Sequence, residues 1–468
     1  MNNRSFLFLS LTLVVFANAL GVRAQDATTV YTRPRTVTAQ PSTPAQTVAP
    51  TMPSTQTPVP RTVATQTPSP TTPAQQPSAT QTTPTNVPSP IASPASLQTA
   101  APVVPLVPLQ PSRALSVSKF RQRVAEAQKL LKSRLTLTSM TPANAFVTIA
   151  AFDQDSSKIH LLSVPKDTFL SRGTNVVLTT TQGMNVRLQV VRSNYVNTAI
   201  VVAEAATGRQ LTPLVVEYPI EKFGSLREMA YYTSAHPALL SPEVVKHGQA
   251  YVHTMLDLAA ERLKGKGKTI SPEIVDIAER LCVVEHVDHD RFRREDRGRL
   301  FNEVYSLFAL NELDTYRYSV SSAGAGGMVQ MIPSTYQMMR SAHPGVGLNP
   351  DFVFGMRNHG NALEAMLLYM QDTWNGLALN QDVLDALAAK QATQSELVAA
   401  GYNSNPARLP QYLRRGGTAW RALIPRETQT YLQIYGSVES LVEFKNRRND
   451  KAQPPQPSIN ASSATELK

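Results

Sequence analysis

A serine, three glycines and a glutamine set in an apolar run make residues 321–336 the stretch of this chain whose side chains are best suited to hold a ligand. Gly324, Gly326 and Gly327 let backbone approach backbone or ligand without a Cβ. Gln330 offers both a donor and an acceptor, and Pro333 followed by Ser334 and Thr335 reads as a helix start. Two glutamates could supply acid chemistry beside this loop. Glu285 ends an apolar helical pattern carrying Ile274, Ile277, Ala278, Leu281, Cys282 and Val284, a desolvated setting that favours a protonated carboxyl. Glu312 lies nearer in sequence, in the polar context Asn311-Glu312-Leu313-Asp314. Local burial makes Glu285 the preferred acid and Glu312 the alternate. His286, Asp288, His289 and Asp290 have metal-ligand chemistry but not the H-E-x-x-H spacing, and they read as a solvated helix end. No metal or other cofactor is expected. Cys282, inside an apolar run, reads as a core residue rather than a nucleophile.

Further along come Leu348-Asn349-Pro350 and Gly355, then Gly401-Tyr402-Asn403-Ser404-Asn405-Pro406, then Ile424-Pro425-Arg426-Glu427-Thr428 with Tyr431. Taken in order with residues 321–336, these segments resemble the soluble lytic transglycosylase family of lysozyme-like enzymes. The glycine stretch is similar to the family's S-x-x-G-A-x-G-L-M-Q-x-M-P-x-T, with Met328 for Leu and Val329 for Met. The second cluster looks like A-Y-N-A-G-P and the third like P-x-E-T-x-x-Y. The family places a Glu-Ser pair shortly before the Gly-Ala. Glu312 has that spacing without the serine, whereas Glu285 is followed by His286 and a further helical pattern over Leu300 to Leu310. The resemblance implies cleavage of the β-1,4 bond between N-acetylmuramic acid and N-acetylglucosamine by one glutamate, acting first as acid and then as base, to give 1,6-anhydromuramyl products. It further implies substrate contacts from Ser321, Gly324, Ala325, Gly327, Met328, Gln330, Tyr402 and Asn403. A glycan-binding or envelope scaffolding protein that reuses the same cleft without cleavage is the alternative reading.

These residues need a scaffold, and the rest of the chain sets out what it should be. The 468-residue sequence carries a net charge of +11 and a single cysteine, so an intramolecular disulfide is impossible and the fold must be held by its core. Arg4, the apolar run Phe6 to Leu20 and Val22-Arg23-Ala24 have the order of a secretory signal, with cleavage expected after Ala24 and a periplasmic or secreted location. No later segment reaches the length of a membrane-spanning helix. Export makes an anionic envelope polymer a better partner for the positive charge than nucleic acid. Peptidoglycan glycan strands are thus the expected partner, with cell-envelope proteins as further partners through the β-rich region.

Residues 25–112, rich in Pro, Thr, Ser and Gln, should form a disordered linker. Lys119 to Leu135 has helical periodicity. Six short β-branched runs follow between Phe146 and Tyr218, bounded by turn residues. Helical patterns then dominate from Ser225 to about Phe444. The expected fold class is α+β and multidomain. A helix and small β-rich sandwich or barrel span 113–222, an all-α domain, lysozyme-like by the resemblance, spans 225–444, and a polar tail spans 445–468.

Overall fold

The computed structural model describes residues 108–110, 115–134, 144–234, 240–445 and 447. The expected signal segment 1–24 lies outside the described residues, as do the linker 25–112 apart from 108–110 and the tail 445–468 apart from 445 and 447.

Helix α1 (Val117–Ser133) begins where the Ser116 hydroxyl accepts from the Lys119 amide, one of the donors a helix start leaves without a partner. Its buried face is Val117, Phe120, Ala127 and Leu131; of the apolar residues the helical period would place together, Leu130 is exposed. Strands β1 (Phe146–Asp153) and β2 (Lys158–Pro165) form a hairpin followed by the short helix α2 (Lys166–Leu170). The remaining strands are β3 (Asn175–Thr179), β4 (Asn185–Arg192), β5 (Ala199–Glu204), β6 (Gln210–Lys222) and β7 (Ser225–Tyr232). They make one antiparallel sheet in the order β2-β1-β6-β5-β4-β3, with β7 also on β6.

The long β6 pairs successively with three neighbours, as in Val202↔Leu211 with β5, Ile149↔Val216 with β1 and Ile220↔Glu228 with β7. Pro213 sits where the β1–β6 register shifts, a place where a residue without an N–H costs least. The sheet curls until the Thr181 amide, in the turn after β3, donates to Leu161 O on β2 at 2.9 Å. Alternate residues then point inward: Val186, Leu188 and Val190 of β4 meet Ile200 and Val202 of β5 and Val147 and Ile149 of β1.

Residues 225–232 form a strand, contrary to the expectation that helices begin at Ser225. The β6–β7 hairpin turns at Phe223 and Gly224, both at positive φ (51° and 74°), and Ala230 and Tyr232 alternate into the sheet core. Eight residues with only two such inward positions carry too weak a period to be separated from a helix by pattern alone.

The helical region comprises α3 (Pro242–Gly265), α4 (Pro272–Val284), α5 (His289–Arg294), α6 (Arg297–Asn311), α7 (Pro333–Ala342), α8 (Phe352–Arg357), α9 (His359–Leu377), α10 (Gln381–Ala388), α11 (Gln394–Asn403), α12 (Leu409–Gly416) and α13 (Arg426–Leu441). Proline in the first turn and a serine cap open α3 and α4 alike. The helix α4 packs on α3, α9, α11 and α13, which bury Ile274, Ile277, Ala278, Leu281 and Cys282, while Glu273, Asp276 and Arg280 lie on its less buried side. Between α3 and α6 the backbones touch at Gly248, where a Cβ would lie 1.9 Å from Tyr305 O.

Sheet and helices share their cores. Leu307 and Tyr318 pack with the sheet interior, while Val244, Ala309 and Leu310 join α1 against the outer face of β1 and β6.

Candidate functional site

Glu285 caps the C-terminus of α4, its amide donating to Leu281 O at 2.9 Å, and it is 3% exposed. The α4 axis therefore delivers a carboxyl into the middle of the helical region. From α13, the Tyr431 hydroxyl donates to Glu285 Oε1 at 2.7 Å. Tyr402, at the end of α11, donates its hydroxyl to Val329 O at 2.7 Å. Burial and, after it, the negative charge of Glu285 raise the Tyr402 pKa well above the usual phenol range, so this hydroxyl stays a donor throughout the physiological range. Burial likewise pushes the Cys282 thiol up, with Glu279 and Glu285 adding to it.

The glycine stretch is folded around its own backbone. Ser321 Oγ accepts from the Ala325 amide at 3.0 Å, and the Ser321 amide donates to Ala325 O at 2.8 Å. Gly324 and Gly327 adopt φ of 76° and 68°. At Gly327 a Cβ would lie 2.2 Å from Met356 O, so glycine is required there by both conformation and space. Met328 is fully buried, and His286 Nε2 bonds to its carbonyl at 2.8 Å. His286 thus ties the end of α4 to the loop, and its ring lies flat on Tyr316.

Gln330 holds φ of 47° and donates through Nε2 to Gly327 O (2.8 Å) and Ser319 Oγ (3.2 Å). Its Oε1 is buried and has no partner among the described residues. A positive φ on a non-glycine residue and an unsatisfied buried acceptor are both costly, and they coincide on one side chain.

Asn403 Oδ1 accepts from Thr428 Oγ1 at 2.9 Å, fastening α11 to α13. Segments 285–286, 328–330, 402–403 and 428–431 therefore converge. Glu312 is elsewhere: its backbone amide caps the far end of α6 by donating to Phe308 O, and its half-exposed side chain pairs with Arg121 of α1 at 2.6 Å. Of the residues with metal-ligand chemistry, Asp288 caps α5 and Asp290 pairs with Arg293 at 2.9 Å. Among the described residues no group of three or more His, Cys, Asp or Glu side chains is gathered as a metal site would require.

Sequence reasoning placed Tyr431 in a terminal motif without giving it a role. The available signal was its spacing of three from Thr428, which puts both on the inward face of α13.

Compared with protein-family models, curated proteins and solved structures, the chain matches none of them.

Proposed function

We propose that this protein cleaves peptidoglycan glycan strands as a lytic transglycosylase, with Glu285 as the single acid and base. The observation that carries the reading is the convergence of four separated segments on one buried carboxyl, with Tyr431 on its Oε1 and Tyr402 bound to the loop beside it. The chemistry asks for a carboxyl that delivers a proton to the glycosidic oxygen as the bond from C1 to that oxygen breaks. The neighbouring acetamido oxygen of the muramyl ring then bonds to C1. The C6 hydroxyl displaces it, forming the anhydro ring and returning a proton to the carboxylate, so no water is consumed. Tyr431 orients Glu285, and the free Oε1 of Gln330 is an acceptor for an amide N–H or hydroxyl of the sugar.

With Glu285 3% exposed, the side chains above it must part before a glycan reaches the carboxyl. The same occlusion, with histidine following the glutamate, favours a second reading, in which the protein binds glycan strands without cutting them. A secretory segment at residues 1–24 would deliver either protein to the envelope.

Digestion of purified peptidoglycan with products resolved by mass spectrometry tests both. The expected result is release of anhydromuramyl fragments, lighter by one water than hydrolytic ones, falling at least ~100-fold in Glu285→Gln and unchanged in Glu312→Gln. Hydrolytic masses would move the reading to a lysozyme-type hydrolase. No release, with the protein still pelleting with the polymer, would leave the binding protein.

A further inference from the structure

Between the curled sheet and the segment that separates Glu285 from Ser321 lies a crevice of about 940 Å³. One wall is the end of α2 with Val191–Asn197, the last residues of β4 and the turn after it; the other is His286–Val287, α5 and the first half of α6. Glu285 is not among its lining residues. The crevice nonetheless reaches both His286, the residue after Glu285, and Ser319, whose hydroxyl accepts from Gln330 Nε2. A ligand lying in it ends beside the candidate glycan site. Its volume sits near the upper end of the roughly 300–1,000 Å³ span of sites for small ligands, enough for a short peptide.

Its charges leave a surplus of donors. Arg172, Arg192, Arg291, Arg294 and Arg299 line it, against Asp288, Asp290, Glu295 and Glu303. Every one of these carboxylates is engaged. Asp288 accepts from the amides of Asp290 and Arg291, and Asp290 pairs with Arg293. Glu295 pairs with Arg291, and Glu303 is shared by Arg291, Arg192 and Arg299. Arg172 and Arg294, both exposed, have no ion-pair partner among the described residues. A guanidinium is a planar fork that matches a carboxylate.

We propose that the crevice holds the peptide stem borne by muramic acid, with Arg172 and Arg294 taking the carboxylates of that stem. This rests on the glycan reading above and adds to it a subsite built jointly by the sheet and the α5–α6 segment. It gives the sheet a task in recognition, and it makes stem-bearing strands the preferred ligand over stripped ones.

The test is titration calorimetry of the full chain with a disaccharide–tetrapeptide, with the same molecule amidated at its stem carboxylates, with the free tetrapeptide and with stem-free disaccharide. The double variant Arg172→Ala/Arg294→Ala is compared with wild type and with Arg415→Ala, an exposed arginine on α12 away from the crevice. The expected result is at least tenfold weaker binding of the disaccharide–tetrapeptide by the double variant, with Arg415→Ala unchanged. Amidation should weaken wild-type binding to a similar degree. Equal affinity for stem-bearing and amidated ligand, an unaffected double variant, or no binding by wild type would overturn the proposal. Equal wild-type affinity for the free tetrapeptide and the disaccharide–tetrapeptide would identify a site for carboxylate-bearing peptides irrespective of the sugar, and the joint glycan subsite would be lost. Arginine-dependent binding of the stem-bearing ligand, without release of anhydro fragments from any polymer, sinks the cleavage reading and leaves this subsite standing.

Discussion

Tyr431 hydrogen-bonds the carboxyl on which the functional reading turns, and it does so through its hydroxyl. Replacing it with Phe removes that hydrogen bond while keeping the ring in its buried place, a loss of about 1 kcal/mol and hence roughly fivefold in rate. Release of anhydromuramyl products by Tyr431→Phe should fall mainly in kcat with KM little changed, since Tyr431 positions the acid rather than touching the sugar. A change confined to KM would assign Tyr431 to substrate binding instead. At this scale the sequence was informative about which residues gather and ambiguous about which glutamate joins them. Glu312 had the family's spacing to Ser321 and Gly324, but spacing along a chain says nothing of position once α5 and α6 are interposed. Those helices let the chain leave Glu285, pack against the sheet and return to Ser321, so the glutamate more distant in sequence is the one that lies beside the loop. The apolar character of α4, visible in the sequence, was the better guide because it reports burial directly.

Among the elements, α9 is tied to its neighbours by a histidine that must stay neutral. His359 Nε2 donates to Thr315 O at 2.8 Å, and its Nδ1 accepts from the Tyr251 hydroxyl of α3 at 2.8 Å. Burial lowers its pKa from 6.5 to about 4, partly opposed by the bond to Thr315. In the unfolded chain the same ring takes up a proton as pH falls through about 6.5. The unfolded state therefore binds more protons between about pH 6.5 and 4. The stability that His359 contributes is full above that window and lost across it, by about 3 kcal/mol. His253 works in the opposite sense. The hydrogen bond to Glu279 raises its pKa, so its contribution is present at low pH and lost as pH rises through the folded value. Denaturant unfolding of wild type and His359→Gln at pH 7 and pH 4 separates the two effects, because His253 is common to both proteins. Wild type should lose about 3 kcal/mol more than the variant over that range, and parallel losses would remove His359 as the cause. The elements themselves were largely legible. The strands from β2 to β5 begin and end within one residue of the β-branched runs, since turn residues bound each run, whereas β1 continues three residues past its run to Asp153. The length of β6 was not legible, because burial on both faces erases alternation and Pro213 falsely suggests an end.

For the molecule as a whole, the division into a β-rich part and a helical part describes secondary structure better than it describes stability. Leu307 and Tyr318 complete the sheet's interior, while Ala309 and Leu310 close the layer beneath α1. Residues 240–445 made without the sheet would expose these side chains along α6 and beyond, and should bind hydrophobic dyes and lack a cooperative thermal transition. The longer piece 108–445 should unfold in one step by calorimetry; two resolved transitions would show that the parts are stable separately. The sequence could not reveal this joint core, because contacts between distant segments leave no local period. The one sulfhydryl of the chain lies fully buried on α4, a turn before Glu285. That placement gives the protein a built-in clock. A thiol reagent can reach Cys282 when the wall behind the acid swings open, so the speed of labelling counts those openings, and a glycan that holds the wall shut will slow it.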